Sequence, residues 1–348
     1  MILGASYGSL LGTKLVFAGH DVTLVCRAAT AESINRHGVR VRLPVSGKDE
    51  AFELDSRDAA GMLTASAPNG VDPSAFDLVA LAMQEPQYRL EGVRELLDRV
   101  ATAHVSCMSV MNMPPPPYLR RIPGLDTDVV ASCYTDATVW RNFLPEYMTL
   151  CSPDPQAFRL PDQPVNTLQV TLATNFKAAR FDSDRSTAML QEMQTDIEAF
   201  RYSADRVELP VKLKVHESLF VPLAKWPMLV TGNYRCVQKN AACSIRDAVH
   251  TDAAESRALY DWVFELCVGL GASPSDLVPF EKYAAAARDL IRPSSAARAL
   301  FAGATAIERV DRLVQAIGAQ KGMQSAAIDE IVARVDARLK QNAATALA

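Results

Sequence analysis

The chain has 348 residues, enough for two domains that each bury a core, and its 36 basic and 40 acidic side chains leave a net charge of −4. No basic block or stripe marks a nucleic-acid or anionic-membrane partner, and no apolar run reaches the roughly 20 residues of a membrane span. Seven scattered cysteines, Cys26, Cys107, Cys133, Cys151, Cys236, Cys243 and Cys267, lack metal-finger spacing, which predicts reduced thiols, no metal, and a soluble cytoplasmic protein without a signal peptide.

Residues 1–27 read MILGASYGSLLGTKLVFAGHDVTLVCR. A short apolar strand runs into Gly4, followed by a small-residue turn, an amphipathic helix, Gly19 and a second apolar strand that ends on Arg27. This is a β-α-β unit opened by a glycine-rich turn, which directs backbone N–H groups and a helix N-terminus at a pyrophosphate. The spacing departs from G-x-G-x-x-G, because Ser6 stands where a second glycine would let the phosphate approach the backbone. Gly4, Ser6, Tyr7, Gly8 and Ser9 are the candidate dinucleotide contacts. A strand-turn-helix without a ligand is the alternative, and the position between two strands weighs against it. An acid at the end of the second strand would bond the ribose 2′-hydroxyl of NAD. Arg27, with no acid before Glu32, suits the 2′-phosphate of NADP(H).

Further along, the pattern predicts a helix over 28–37, strands over 39–43 and 76–81, a helix over 93–101, and strands over 104–111 and 128–135. Such alternation implies a mostly parallel, doubly wound Rossmann-type sheet. The prolines at 114–117 read as a stiff loop. The proline-rich stretch 140–170 predicts strand hairpins or a long excursion. Helical period then takes over, with Leu259, Trp262, Val263, Leu266, Cys267 and Leu270, and later Ile328, Ile331, Val332, Val335 and Leu339, as core stripes. The expected organisation is an α/β NADP-binding Rossmann domain over 1–185 and an all-helical domain for substrate and dimerisation over 186–345.

Lys225 is the one charge in the apolar run 219–230, and a lone charge in such a setting is usually paired and often functional. Asn233 follows eight residues later, on a roughly neighbouring helical face. Pro222 and Pro227 predict a kink or break between flanking turns. Asn112 ends a strand on the edge where open α/β sheets place ligands, although turn chemistry before the prolines is the alternative. Ser294-Ser295 reads as the N-cap of a helix through Leu300, Ile307 and Val314. The five histidines show no metal spacing.

With these residues in view, the chain resembles the ketopantoate reductases (2-dehydropantoate 2-reductases). The matches are the opening segment ending in Arg27, Leu78-Val79-Ala80-Leu81-Ala82-Met83-Gln84, Ser109-Val110-Met111-Asn112-Met113, Lys225 with Asn233, and Pro293-Ser294-Ser295 with Glu308 and Asp311. The resemblance implies that Lys225 and Glu308 are catalytic, with Lys225 as proton donor and Glu308 as its orienting partner. It implies substrate positioning by Asn112, Asn233 and Ser295, and cofactor contacts from Gln84 and Asn112. The chain departs from the family at Ala82, where a lysine is expected, and at Leu229, where an asparagine is expected. Glu308 lies one position further from Ser295 than the family spacing, and a solvated Glu308 paired with Arg312 at i+4 is the alternative. The expectation is an NADPH-dependent reductase of a small 2-oxo acid or related ketone, acting on a small molecule as a homodimer. The alternatives are a dehydrogenase of the same fold for a bulkier, more apolar substrate, or a non-catalytic NADP-binding regulatory protein.

Overall fold

The computed structural model describes residues 1–45, 51–160, 162–202 and 206–346. Contacts divide the chain into two compact units. The first comprises Met1–Met83, Gln87–Tyr118 and Val139–Glu217, and the second Gln84–Pro86, Leu119–Thr138 and Ser218–Ala348.

The strands of the first unit are β1 (Ile2–Leu3), β2 (Val22–Val25), β3 (Arg40–Leu43), β4 (Phe52–Asp55), β5 (Leu63–Ser66) and β6 (Leu78–Leu81). They continue as β7 (Ser106–Val110), β8 (Met148–Ser152), β9 (Gln156–Phe158), β10 (Thr167–Leu172), β11 (Phe176–Ala179) and β12 (Leu213–His216). Eight of them form one sheet in the order β12-β11-β8-β7-β6-β1-β2-β5. The strands from β5 to β8 in that order are parallel, and β11 turns antiparallel against β8. All four residues of β6 are buried, as an apolar strand covered on both faces requires. The strand order reverses at β1, whose Ile2 pairs with Leu24 on one side and Ala80 on the other. This reversal is the switch point at which open α/β sheets bind ligands, and it confirms the expected Rossmann-type architecture.

The strand expected at 39–43 forms, but in a separate sheet ordered β4-β3-β10-β9. Its alternating burial, with Val41 and Leu43 inward and Arg40 and Arg42 partly exposed, is the pattern of a one-sided sheet. The proline-rich stretch supplies the partners: β9 and β10 pair antiparallel, and β10 lies parallel to β3.

The helix Tyr7–Phe17 contacts β1, β2 and β5 of the larger sheet and β3 of the smaller one. Every residue from Gly8 to Phe17 is consequently buried, so this helix is not amphipathic as its sequence predicts. Its one charged residue, Lys14, is buried with the rest and donates from Nζ to the Pro210 carbonyl oxygen at 3.0 Å. The helix Asp184–Ala199 packs on β12, so a boundary at 185/186 falls inside a helix of the first unit.

Two local expectations are corrected. Residues 128–135 form no strand; the segment turns through Ala131–Cys133 and belongs to the second unit. The prolines do not stay a loop throughout, since Pro116–Leu119 is a helical turn, with Pro116 at the first position where a missing N–H costs nothing.

Among its described residues the second unit is helical apart from an isolated bridge between Val237 and Ala242. Its principal helices are Ile245–His250, Ala253–Gly269, Phe280–Ala287, Ser295–Phe301, Val310–Gln320 and Ala326–Ala346. Leu259, Val263, Leu266 and Cys267, and Ile328, Ile331, Val332 and Val335, are buried as their periodicity predicts. The single helix expected from Ser294 to Val314 is instead two. Gly303 adopts φ +94°, Ala304 N donates to Ala299 O at 2.9 Å and Gly303 N to Leu300 O at 3.1 Å, a Schellman closure that ends the first helix. Among the described residues no helix is long and apolar enough to cross a membrane, and none of the seven cysteines is in a disulfide.

Candidate active site

The turn after β1 is shaped by crowding at the switch point. Gly4 has φ +100°, its N–H donates to Val25 O at 2.9 Å, and a Cβ there would lie 2.5 Å from Ala82 O and 2.7 Å from Met83 Cγ. Only glycine meets both demands. Gly8 lets the following helix close on β1, since a Cβ would stand 2.9 Å from Ile2 Cγ2. Ser6 is the exposed N-cap; its side chain makes no capping bond and no acid sits in the first turn, so the positive end of the helix is open to an anion. Tyr7 is half-buried. Ser9 is different: it is buried, and its hydroxyl donates back to Ala5 O at 2.5 Å. It therefore braces the turn. Arg27 is exposed just after β2, at the N-cap position of the helix Ala28–His37, where its side chain makes no capping bond. The turn fits a dinucleotide pyrophosphate despite its irregular glycine spacing.

Asn112 follows β7, at the same strand edge. Its Oδ1 is buried without a hydrogen-bond partner. An orphaned buried acceptor costs about 1–3 kcal/mol, an expense that a ligand hydroxyl or amide N–H would offset. Ala82 is buried. Gln84 is exposed, and the short segment Gln84–Pro86 belongs by its contacts to the second unit.

In the second unit Lys225 and Asn233 lie on one continuous but non-uniform helical stretch. A 3-10 turn at Pro222–Lys225 passes into an α turn at Trp226–Met228 and then a π segment at Leu229–Tyr234. Pro227 supplies no N–H to an α ladder, which accounts for the irregularity expected from the two prolines. Because the π segment turns more slowly than an α-helix, the eight-residue spacing does not translate into the α-helical angle. Such single π segments are frequent at functional sites. The wide turn is held from outside: Tyr283 Oη donates to Met228 O at 3.2 Å and occupies the place of a Gly232 Cβ, which would lie 1.9 Å from it. Lys225 is half-buried between buried Ala224 and Trp226, and Leu229 is buried.

Ser294, not Ser295, connects to this stretch. Its Oγ accepts from Ala297 N at 3.1 Å as N-cap and donates to Asn233 O at 2.7 Å. Ser295 is the exposed first residue of the helix. Glu308 lies outside any helix, in the link before Val310–Gln320, so the i+4 helical pair with Arg312 does not form. Glu308 Oε1 accepts from Glu85 N at 3.4 Å, and its carbonyl oxygen accepts from Tyr234 Oη at 2.6 Å. Glu85 is itself buried, with its carboxylate accepting from Thr135 N at 2.9 Å and Thr135 Oγ1 at 2.7 Å. Next to Glu308, Arg309 forks onto buried Asp311 at 2.9 and 3.0 Å and also meets Asp336. Glu85, Tyr234, Tyr283 and Ser294 thus position the predicted residues. Of these only Ser294 carries a local sequence signal, a serine opening a helical run. Among the described residues no group of three or more His, Cys, Asp or Glu could hold a metal.

Residues 1–105 match the family model of ketopantoate reductase PanE/ApbA. The match covers just under a third of the chain, so over this segment the sequence is similar to that family. No curated protein matches the chain by sequence. Solved structures share the ketopantoate reductase fold over nearly the whole length. A protein assigned as a ketopantoate reductase from Ralstonia solanacearum MolK2 is 16% identical with a TM-score of 0.66, covering 98% of each chain. D-mandelate dehydrogenase, solved with NADH and anilino(oxo)acetate, is 14% identical with a TM-score of 0.64, covering 98% of this chain and 99% of its own. A dimeric ketopantoate reductase from Staphylococcus aureus is 9% identical with a TM-score of 0.58, covering 98% of each chain.

Proposed function

We propose that this protein is an NADPH-dependent reductase of a small 2-oxo acid or related ketone, with Lys225 as the proton donor. The reading rests chiefly on Lys225, the one charge in the apolar stretch 219–230, seated where 3-10, α and π turns succeed one another. When bound, the nicotinamide supplies a hydride to the carbonyl carbon. The Gly4–Gly8 turn and the helix after it would hold the pyrophosphate, and Arg27 the 2′-phosphate. Lys225 donates a proton from Nζ as negative charge develops on the carbonyl oxygen, and its ammonium stabilises that charge before transfer. Glu308 keeps the ammonium oriented. Asn112, through its orphaned Oδ1, and Asn233 orient hydroxyl and carboxyl groups of the ligands. The neighbour from Staphylococcus aureus, described as dimeric, supports a homodimer as the working assembly.

A second reading, a substrate with a larger apolar group, is favoured by Leu229 and Ala82, both buried and apolar where the resembled family carries polar residues. The likeness to a dehydrogenase of D-mandelate, an aryl hydroxy acid, points the same way. NADPH oxidation measured with a panel of aliphatic and aryl 2-oxo acids separates the two readings. Lys225→Ala is expected to leave NADPH affinity nearly intact and to lower turnover about 100-fold or more, the scale of a lost general acid. Unchanged turnover in that variant would remove Lys225 from the chemistry. Failure of every carbonyl compound to oxidise NADPH would favour a non-catalytic nucleotide-binding role.

A further inference from the structure

Arg159 follows β9, at the rim of the smaller sheet. Its Nη2 donates to the carbonyl oxygen of Ala5 at 2.6 Å, which places the guanidinium against the glycine-rich turn. Its Nε is buried without a hydrogen-bond partner. Among the described residues no carboxylate pairs with Arg159 or with Arg27. Its electrostatic neighbours are Cys26 and Arg27 at the end of β2. One guanidinium therefore reaches both the turn and the strand end that flank the adenosine half of a dinucleotide in this architecture.

Two neighbouring guanidinium groups without an acid repel each other, and one of them is partly desolvated. Burial, opposed by Cys26 and reinforced by Arg27, holds Arg159 below the ordinary arginine value. A chain that bound NAD would place a carboxylate here. A phosphate monoester carries close to two negative charges and three acceptor oxygens, so it neutralises the pair and satisfies the unused Nε.

We infer that Arg159 and Arg27 form a two-guanidinium clamp on the 2′-phosphate of the adenine ribose, with Arg159 acting from the smaller sheet as a second determinant of NADPH over NADH. The inference rests on the nucleotide reading proposed above and names a residue that this reading does not need.

Calorimetric titration of the full-length protein with adenosine 2′,5′-bisphosphate and with adenosine 5′-monophosphate isolates the 2′-phosphate, and NADPH and NADH repeat the comparison on whole cofactors. Arg159→Ala is expected to weaken the bisphosphate and NADPH roughly tenfold to a hundredfold, the scale of a lost charge-assisted hydrogen bond, while the monophosphate and NADH change by less than about twofold. Arg159→Lys should recover part of the loss. Equal losses on both members of each pair, or none, overturn the clamp while leaving nucleotide binding intact. Absence of any nucleotide binding by the unmodified protein removes the underlying reading and the clamp with it. Should Arg159→Ala fold poorly, ³¹P NMR of the bisphosphate bound to the unmodified protein gives an independent result. Its 2′-phosphate, which loses its second proton near pH 6 when free, is expected to titrate about one pH unit lower or more when clamped. An unaltered titration of the bound ligand overturns the clamp.

Discussion

Tyr234 holds the Glu308 link by its backbone: the Tyr234 hydroxyl donates to Glu308 O at 2.6 Å and accepts from Val310 N at 3.0 Å. One phenol thus satisfies an acceptor and a donor on either side of Arg309, from the last residue of the π segment that carries Asn233. The proposed acid and the proposed substrate contacts are set in register by a residue that touches neither reacting atom.

Removing that hydroxyl breaks both bonds, one of them from the buried Val310 N–H. Tyr234→Phe is therefore expected to destabilise the protein by about 2–4 kcal/mol, the sum of two unmade bonds at roughly 1–2 kcal/mol each. Urea unfolding measures this directly. If Tyr234 positions Glu308, the variant also loses kcat while KM for NADPH stays put. A variant as stable as the parent would show that the link is held by other contacts.

The π segment gives a second, steric test. Gly232→Ala places a methyl 1.9 Å from the Tyr283 hydroxyl, and that ring is stacked on Tyr260 with centroids 5.5 Å apart. The ring cannot retreat without losing the stack and the bond to Met228 O. Gly232→Ala should cost more than the 1 kcal/mol that alanine ordinarily gains over glycine in a helix, and Gly232→Ala combined with Tyr283→Phe should recover part of the loss. A thermal midpoint unchanged by Gly232→Ala alone would contradict the packing described.

How far the sequence anticipates these features depends on whether their causes are local. The turn at Gly4, the buried strand β6 and the helical stripes all follow from residues adjacent in the chain, and all are legible. Strand β3 is legible as a strand, but its neighbour β10 lies far along the chain behind a proline-rich stretch, and nothing local distinguishes the smaller sheet from the larger. The all-round burial of Tyr7–Phe17 depends on that sheet and is hidden for the same reason. Near the candidate site, Pro222 and Pro227 announce an interruption without revealing a π segment, because Tyr283 supplies its outside support. Gly303 does carry a local stop signal, and the helix expected through Ile307 and Val314 overrides it by favouring apolar period over a C-terminal glycine. The placement of Glu308 depends on that choice.

Lys14 makes stability depend on pH. Burial, with repulsion from Lys212 added and attraction to Glu208 opposing, lowers its amine from 10.5 to about 7. Between about pH 7 and 10.5 the unfolded chain holds a proton that the folded chain releases, so stability rises with pH across this window; below pH 7 the penalty is present in full. Lys14→Met removes the term and also the donor to Pro210 O. Scanning calorimetry of parent and variant should show the variant gaining most below pH 7 and its advantage shrinking, then reversing, toward pH 10. A difference in midpoint that stays constant across this range would place Lys14 in contact with water.

The final expectation concerns substrate choice. Ketopantoate presents a carboxylate, a carbonyl and a hydroxyl, and recognising it requires polar partners for each. This chain has Ala82 and Leu229, both buried, at positions where the resembled family has a lysine and an asparagine. A lost charged hydrogen bond costs about 1.5–3 kcal/mol and a lost neutral one about 0.5–1.5 kcal/mol. If the losses add, kcat/KM for ketopantoate falls roughly thirtyfold to two-thousandfold below what those polar partners would support. The same two side chains gain by contacting apolar surface, at about 25 cal/mol per Å² removed from water, so a 2-oxo acid with an aryl or branched alkyl group should be reduced faster. The comparison requires one preparation, saturating NADPH, and initial rates for ketopantoate beside aryl and alkyl 2-oxo acids. Ketopantoate turnover close to the diffusional range and above every bulkier acid would show that other residues supply the missing contacts.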